Sequence, residues 1–199
     1  MTDPLLLDLP AVIETPRLRL RPPQAGDGPV LHEAIVESLA RLRRFLASLS
    51  WVGGEQTLDS AEIYCRNAQA NFIARRDLPF FIFEKATGQF VGATGLHRTV
   101  WATPRTEVGY WGGASRAGEG FVSEAVDALA GYAFVHLHAV RVEAIMDEAN
   151  VSSRRVAERC GFRLEGVLHN ERRAPDGTLR NTCVYARTAE ERPASAQKL

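Results

Sequence analysis

One stretch constrains this chain more than any other: Gly118-Glu119-Gly120-Phe121-Val122-Ser123-Glu124-Ala125, which joins a strand-like run, Glu107 to Trp111, through a short loop to an amphipathic helix. Glycines at a helix entrance let the backbone come close to a ligand, and the N–H groups of the first turn have no acceptor inside the helix. With the helix dipole behind them they form an anion site, and a phosphate or pyrophosphate is its natural guest. Strand, anion loop and helix are therefore the unit around which the rest of the fold has to be arranged.

The remaining composition sets bounds on that arrangement. At 199 residues the chain is long enough for one well-filled core. The reading is a tail over 1–12, a single domain over 13–188 and a polar tail over 189–199. Hydrophobic residues make up 45%, charged residues 24%, and the formal net charge is zero. This is the profile of an ordinary globular protein without the basic excess of an obligate nucleic-acid binder, so no direct nucleic-acid partner is expected. Asp3 and Asp8 stand where a secretory signal needs basic residues, and no apolar run approaches the roughly 18 residues of a membrane span. No membrane partner is expected, and the expected location is the cytoplasm. Cys65, Cys160 and Cys183 are odd in number and widely spaced, which fits reduced thiols better than a disulfide or zinc framework.

Along the chain, Arg17-Leu18-Arg19-Leu20-Arg21 alternates with period two and stops at Pro22-Pro23, as a half-buried strand does. From Asp27, a candidate N-cap, the spacing of Leu31, Ile35, Leu42 and Leu46 predicts a helix to about Leu49. Trp51 to Glu55 reads as a turn, and Thr57 opens a second helix with Ala61, Tyr64, Ala68 and Phe72 on one face. Phe80–Glu84 and Phe90–His97 read as a hairpin of central strands. After a loop holding Trp101 and Pro104 come a strand from Arg105 to Trp111, the glycine loop, and a helix from Phe121 to about His136. A strand from Val140 to Asp147, a short helix from Asn150 ended by Gly161, and strands Arg163–Leu168 and Arg180–Arg187 complete the order. The expected class is α+β, mixed α/β, with helices on both faces of the sheet. The helix between the strands at 107–111 and 140–147 makes those two strands parallel neighbours.

Three glycine-rich loops bind phosphate ahead of a helix. A P-loop needs Gly-Lys-Ser/Thr, which is absent. A dinucleotide fingerprint needs a third glycine where this chain has Ser123, and it belongs at the head of a βαβ half rather than late in a chain. What remains is an x-x-Gly-x-Gly loop after a strand. Taken alone, it is equally well a glycine-rich surface turn.

Four segments occur together: Glu107-Val108-Gly109-Tyr110-Trp111; Gly118-x-Gly120-x-x-Ser123-Glu124-Ala125; Asn150-x-x-Ser153-x-x-Val156-Ala157-Glu158-x-x-Gly161-Phe162; and Leu164-Glu165-Gly166-Val167-Leu168. In order and spacing they resemble the GNAT superfamily of N-acetyltransferases, in the branch of the ribosomal-protein-serine and ribosomal-protein-alanine enzymes, the serine type more closely. With Thr15-Pro16-Arg17-Leu18-Arg19-Leu20 and Leu49-Ser50-Trp51, the similarity extends over about residues 12–187. It implies a central, mostly antiparallel twisted sheet of six to seven strands with a parallel, splayed pair at the cofactor site. Family members commonly carry Gln or Arg where this loop begins with Ser115, and Arg116 is next to it.

The resemblance further implies acetyl-CoA as co-substrate and no metal. Arg116, Ala117, Gly118, Glu119, Gly120, Phe121 and Val122 would hold the pyrophosphate, Gly109, Tyr110 and Trp111 the pantetheine arm and thioester, and Asn150, Ser153 and Arg154 further parts of CoA. Oriented N–H groups at the splay would stabilise the tetrahedral oxyanion. Ser153 is assigned to protonation of the leaving thiolate and Glu107 to the general base, acting through water on a primary amine. An α-amine, with a pKa of about 8, needs less help than a lysine amine near 10.4. Glu171 lies close to a glutamate that the serine-type enzymes use, although the alignment sets Arg172 at that position. Trp51 and Trp101 are candidates for the acceptor groove.

Other features carry plainer readings from the residues alone. Asn150 is equally an N-cap, Ser153 a first-turn helix serine, Glu107 a solvated strand carboxylate and Tyr185 a core tyrosine. Cys160 reads as packing, and Cys183 lacks a nearby histidine partner. His32, His97, His136, His138 and His169 lack metal-ligand spacing, and Arg41-Leu42-Arg43-Arg44 reads as a solvated helix face. The acceptor stays open between a protein N-terminus, such as that of a ribosomal protein, and a small amine; an acyl-CoA sensing domain is the alternative. Homodimers are common among such enzymes.

Overall fold

In a computed structural model, residues 3–47, 49–174 and 176–189 are described. Their eight strands are β1 (Ile13–Glu14), β2 (Leu18–Arg21), β3 (Leu78–Glu84), β4 (Phe90–Val100), β5 (Arg105–Gly112), β6 (Arg141–Asp147), β7 (Arg163–Arg173) and β8 (Leu179–Thr188). The helices are α1 (Gly28–Leu46), α2 (Ser50–Gly53), α3 (Leu58–Ile73), α4 (Phe121–His136) and α5 (Val151–Arg159). The strands form one sheet in the order β1-β2-β3-β4-β5-β6-β8-β7. Every neighbouring pair is antiparallel except β5 with β6. The class and the parallel pair are as the sequence implies, and the strand beyond the expected seven is the two-residue β1. Among the described residues no helix is long and apolar enough to cross a membrane.

Alternation along the strands sends side chains to two different cores. On one face Leu96, Val108, Val142 and Ala144 meet Phe121, Ala125, Val126, Leu129 and Ala133 of α4. On the other, Phe81 and Ala93 meet Leu31, Ile35 and Leu42 of α1, Val52 of α2, and Ala61 and Cys65 of α3. Burying each large apolar side chain contributes roughly 1.5–3 kcal/mol, so the sheet is held from both sides.

Several boundaries differ from the sequence reading, each for a local reason. The segment read as an amino-terminal tail is anchored: Leu9 is 6% exposed, Arg75 donates to the Leu7 carbonyl and Tyr132 to that of Pro10. Part of the expected turn after α1 is the helical α2. Val140 lies outside β6 and is half exposed. Asp27 does precede α1, but its carboxylate accepts from Arg21 at 2.6 and 2.8 Å and from the Gln24 N–H at 2.9 Å instead of capping the helix. Thr57 does cap α3, in a reciprocal box with Ser60. β7 runs past Leu168 through a bulge, with Asn170 at φ 53°, and so carries Glu171 and Arg172 on a strand. The polar tail expected beyond residue 189 lies outside the described residues.

Candidate active site

The site begins where a strand pair parts. β5 and β6 are in register at Arg105 with Arg141, Thr106 with Val142 and Glu107 with Glu143, and there their pairing ends. β5 continues to Gly112 paired only with β4, and β6 to Asp147 paired only with β8. Gly109, Tyr110 and Trp111 therefore border a gap in the sheet. Tyr110 spans it, its hydroxyl donating to the Ser153 carbonyl of α5 at 2.9 Å.

Immediately after β5 the chain makes the anion loop. Gly118 and Gly120 have φ of 88° and 81°, left-handed values that cost an L-residue energy and glycine nothing. The first ladder bond of α4 runs from the Glu124 N–H to the Gly120 carbonyl at 3.0 Å, so the N–H groups of Phe121, Val122 and Ser123 precede any acceptor of their own helix.

The loop is clamped by α1, a support that the sequence did not disclose. Glu37 accepts from the Ser115 N–H at 2.5 Å, Ser38 from the Ala114 N–H at 2.9 Å, and Arg41 donates to the Gly112 carbonyl. Glu124, on the first turn of α4, is held by Thr15 at 2.6 Å and Arg17 at 2.6 Å. These partners lie 71 to 109 positions away in the chain, beyond any spacing argument.

Loop and splay open into one cleft of about 1170 Å³. It is lined by Glu107, Gly109, Tyr110, Trp111, Arg116, Ala117, Gly118, Gly120, Phe121, Val122, Asn150, Ser153, Glu171 and Trp51 among others. Trp51 faces Trp111 with ring centroids 5.7 Å apart. Asn150 caps α5, accepting from the Ser153 N–H at 3.2 Å, and it also lines the cleft. Glu107, its side chain 13% exposed, is ion-paired with Arg98, which donates through Nε at 2.9 Å. Arg98 reaches it from a bulge in β4, at φ 51°. Glu171 accepts from Thr182, and Arg172 donates to the same hydroxyl at 2.7 Å.

Four sequence assignments come out differently, the first being Glu119, which is not among the described residues lining the cleft and has its carboxylate paired with Arg116. Arg154 points away from the cleft, donating to the Tyr185 hydroxyl at 3.1 Å, which itself donates to Glu158 at 2.8 Å. Arg155 and Arg159, a turn apart on the other side of α5, line the cleft in its place. Trp101 packs against the main core and is not among the described residues lining the cleft. Arg116 is in the cleft wall but its guanidinium is committed to Glu119 at 2.9 Å, Glu84 at 2.9 Å and Gln89 at 2.9 Å. Its charge is thus balanced by two carboxylates. Tyr185, 1% exposed and bonded on both sides, has the core role. Cys160 packs between helices, its thiol donating to the Ser123 carbonyl at 3.2 Å.

The likeness to known proteins agrees with this geometry. The chain is 34% identical over 95 residues to "Uncharacterized N-acetyltransferase p20" of Bacillus licheniformis, covering 48% of this chain and 53% of that one. It thus spans about half the length of that relative. It is 26% identical over 175 residues to "Uncharacterized N-acetyltransferase YoaA" of Bacillus subtilis, covering 88% and 95%. Among solved structures, Mycobacterium smegmatis RimJ in complex with CoA-disulfide superposes with a TM-score of 0.80 at 28% identity, covering 90% of this chain and 85% of that one. Residues 17–163, which contain the glycine loop, the splayed pair and α5, match the acetyltransferase (GNAT) domain family, and to that family this chain belongs.

Proposed function

We propose that this protein transfers the acetyl group of acetyl-CoA to a primary amine by direct attack in a ternary complex. The observation that carries the reading is the meeting of two features in one cleft: an anion loop with left-handed glycines and, beside it, a parallel strand pair that parts after Glu107. The N–H groups from Gly118 to Ser123 hold the pyrophosphate, with Arg155 and Arg159 adding positive charge along the same wall. The free edge of β5 at Gly109 to Trp111 lines up the pantetheine arm and polarises the thioester carbonyl. Ser153, on the first turn of α5, returns a proton to the departing thiolate. A CoA-like thiol ionises near 8.5 by analogy with cysteine, so a hydroxyl held close to it is sufficient. Glu107, balanced by Arg98, is the carboxylate that draws an ammonium group to the splay, and Trp51 with Trp111 walls the path by which it comes.

The acceptor is a protein N-terminal α-amine, which the motif resemblance to ribosomal-protein N-acetyltransferases supports, or a small amine of comparable basicity. The test is thiol release from acetyl-CoA over a panel of peptide N-termini and small amines, with product mass determined. Amine-dependent release with a mass gain of one acetyl group on the acceptor is expected. Tight CoA binding with no release on any acceptor would overturn the reading in favour of a sensing domain.

A further inference from the structure

The floor of the cleft on the α1–α3 side is built from residues that leave room above them. Gly95 and His97 of β4 stand opposite Gly109 and Glu107 of β5, and by alternation all four present the same face of the sheet. The imidazole of His97 fills the space that the glycines leave. A Cβ placed on Gly95 would lie 2.8 Å from His97 Nε2, and one placed on Gly109 would lie 3.3 Å from it. Nε2 is therefore set against the first residues of β5 beyond its pairing with β6, where the thioester is read to lie. The other ring nitrogen, Nδ1, is 3.2 Å from Asp77 Oδ1, and both residues line the cleft.

We propose that His97, positioned by Asp77, takes the proton released by the attacking amine; this rests on the acetyltransferase reading. With Nδ1–H donated to the carboxylate, Nε2 keeps its lone pair, over Gly95 and Gly109 in the cleft floor. The acceptor nitrogen forms a bond to the thioester carbonyl carbon, the carbon–sulfur bond breaks, one N–H proton passes to Nε2, and the CoA thiolate takes up a proton in turn. Charged groups around the ring are Asp77 ahead of β3, Glu107 across on β5 and Arg98 next in the chain. Elsewhere on the cleft wall α3 contributes Asn67 and Asn71, which are uncharged, and the titratable Tyr64, which interacts with Asp77, and α1 contributes Arg41, Arg43 and Arg44. The carboxylate of Glu107 is already engaged by the guanidinium of Arg98.

The test uses the full chain with an amine that the wild type acetylates, comparing His97→Gln and Asp77→Asn with it between pH 6 and 9. For His97→Gln, kcat/KM for the amine falls by about 10² at neutral pH, within the range of general-base contributions, while acetyl-CoA affinity by calorimetry stays within about twofold. The deficit narrows as the pH rises and the amine loses its proton unaided. Asp77→Asn loses roughly tenfold and displaces the acid limb of the pH profile, and Asp77→Glu recovers most of the loss. Long-range ¹H–¹⁵N correlation on the wild type, which needs no variant to fold, shows the His97 proton on Nδ1. Full activity of folded His97→Gln, a loss that is constant at every pH, or an Nε2–H tautomer would overturn the assignment. A wild type that binds CoA but acetylates no amine would overturn the acetyltransferase reading with it, whereas an active wild type with an equally active His97→Gln overturns this assignment alone.

Discussion

Glu107 and Glu143 are the last residues at which β5 and β6 are in register, and three residues further along β5 the Tyr110 hydroxyl reaches the Ser153 carbonyl across the gap that opens. A parted strand pair forgoes its ladder bonds, and the gap keeps its width through contacts from outside the sheet. Tyr110 is one of these, because it joins β5 to the first turn of α5 rather than to a neighbouring strand.

Removing that hydroxyl alone is expected to have a small effect on stability and a larger one on cofactor use. A neutral hydrogen bond contributes about 1 kcal/mol net, which for a chain of this length moves Tm by roughly 2–4 °C. Tyr110→Phe is expected to show that modest shift by calorimetry together with a several-fold rise in KM for acetyl-CoA. An unchanged KM would mean that the gap is held elsewhere.

The glycine at 118 permits a test of conformation separated from contact. Nothing lies within 4 Å of a Cβ placed there, and its φ is 88°. Gly118→Ala meets no steric clash and carries only the backbone cost, about 1–2 kcal/mol. The loop is expected either to bear that strain or to flatten, with CoA affinity falling roughly tenfold in isothermal titration and the far-UV spectrum unchanged. The same substitution at Gly131, within α4 and with open space around it, serves as the control and leaves affinity intact.

What was legible in the sequence was what sequence-local physics decides. Glycine in a left-handed turn before a helix, the alternation of β5 and β6, and the connection that makes them parallel are all encoded within about forty residues. What was not legible depends on rotation and distance. Arg154 and Arg155 are neighbours in sequence, yet α5 turns the first to Tyr185 and the second to the cleft, and only the packing of the helix decides which. The Asp77–His97 pair is set by the register of β3 on β4, twenty positions apart, and the left-handed Arg98 is of a residue type that gives no warning of a bulge. The segment around Leu9 looked like part of a tail because the side chains that anchor it, Arg75 on the Leu7 carbonyl and Tyr132 on that of Pro10, are 68 and 122 positions away.

Thiol chemistry should be silent in the native protein. Burial pushes the Cys65 and Cys160 thiols up to about 12 and raises that of Cys183 as well. All three therefore stay neutral at pH 8, where an exposed thiol with its ordinary pKa of about 8.5 is partly ionised. A disulfide reagent is expected to label none of them quickly at pH 8 and all three in denaturant. The sign for stability follows from the same shift: the folded state holds these protons more tightly than the unfolded chain. The contribution is fully present below about pH 8.5 and is lost as the pH rises towards 12. An alkaline unfolding limb above pH 9 that Cys65→Ser with Cys160→Ser renders shallower would bear this out, and rapid labelling at pH 8 would contradict it.

The clamp on the anion loop is the last link that can be cut without touching the loop itself. Glu37 accepts from the Ser115 N–H and lies 3.3 Å from the Ser115 hydroxyl, on a helix whose inward residues, Leu31, Ile35 and Leu42, are separate from it. The pair is exposed, so its loss costs the fold little. It fixes the start of the loop, and a freed Ser115 would let the N–H groups at 118–123 wander from a common focus. Glu37→Ala is accordingly expected to leave Tm within about 1 °C while weakening CoA binding three- to tenfold. The discriminating measurement is the same titration with a CoA fragment that lacks the pyrophosphate, such as acetyl-pantetheine: the variant and the wild type should bind it alike. Equal losses for both ligands would show that Glu37 acts on the whole cleft rather than on the loop.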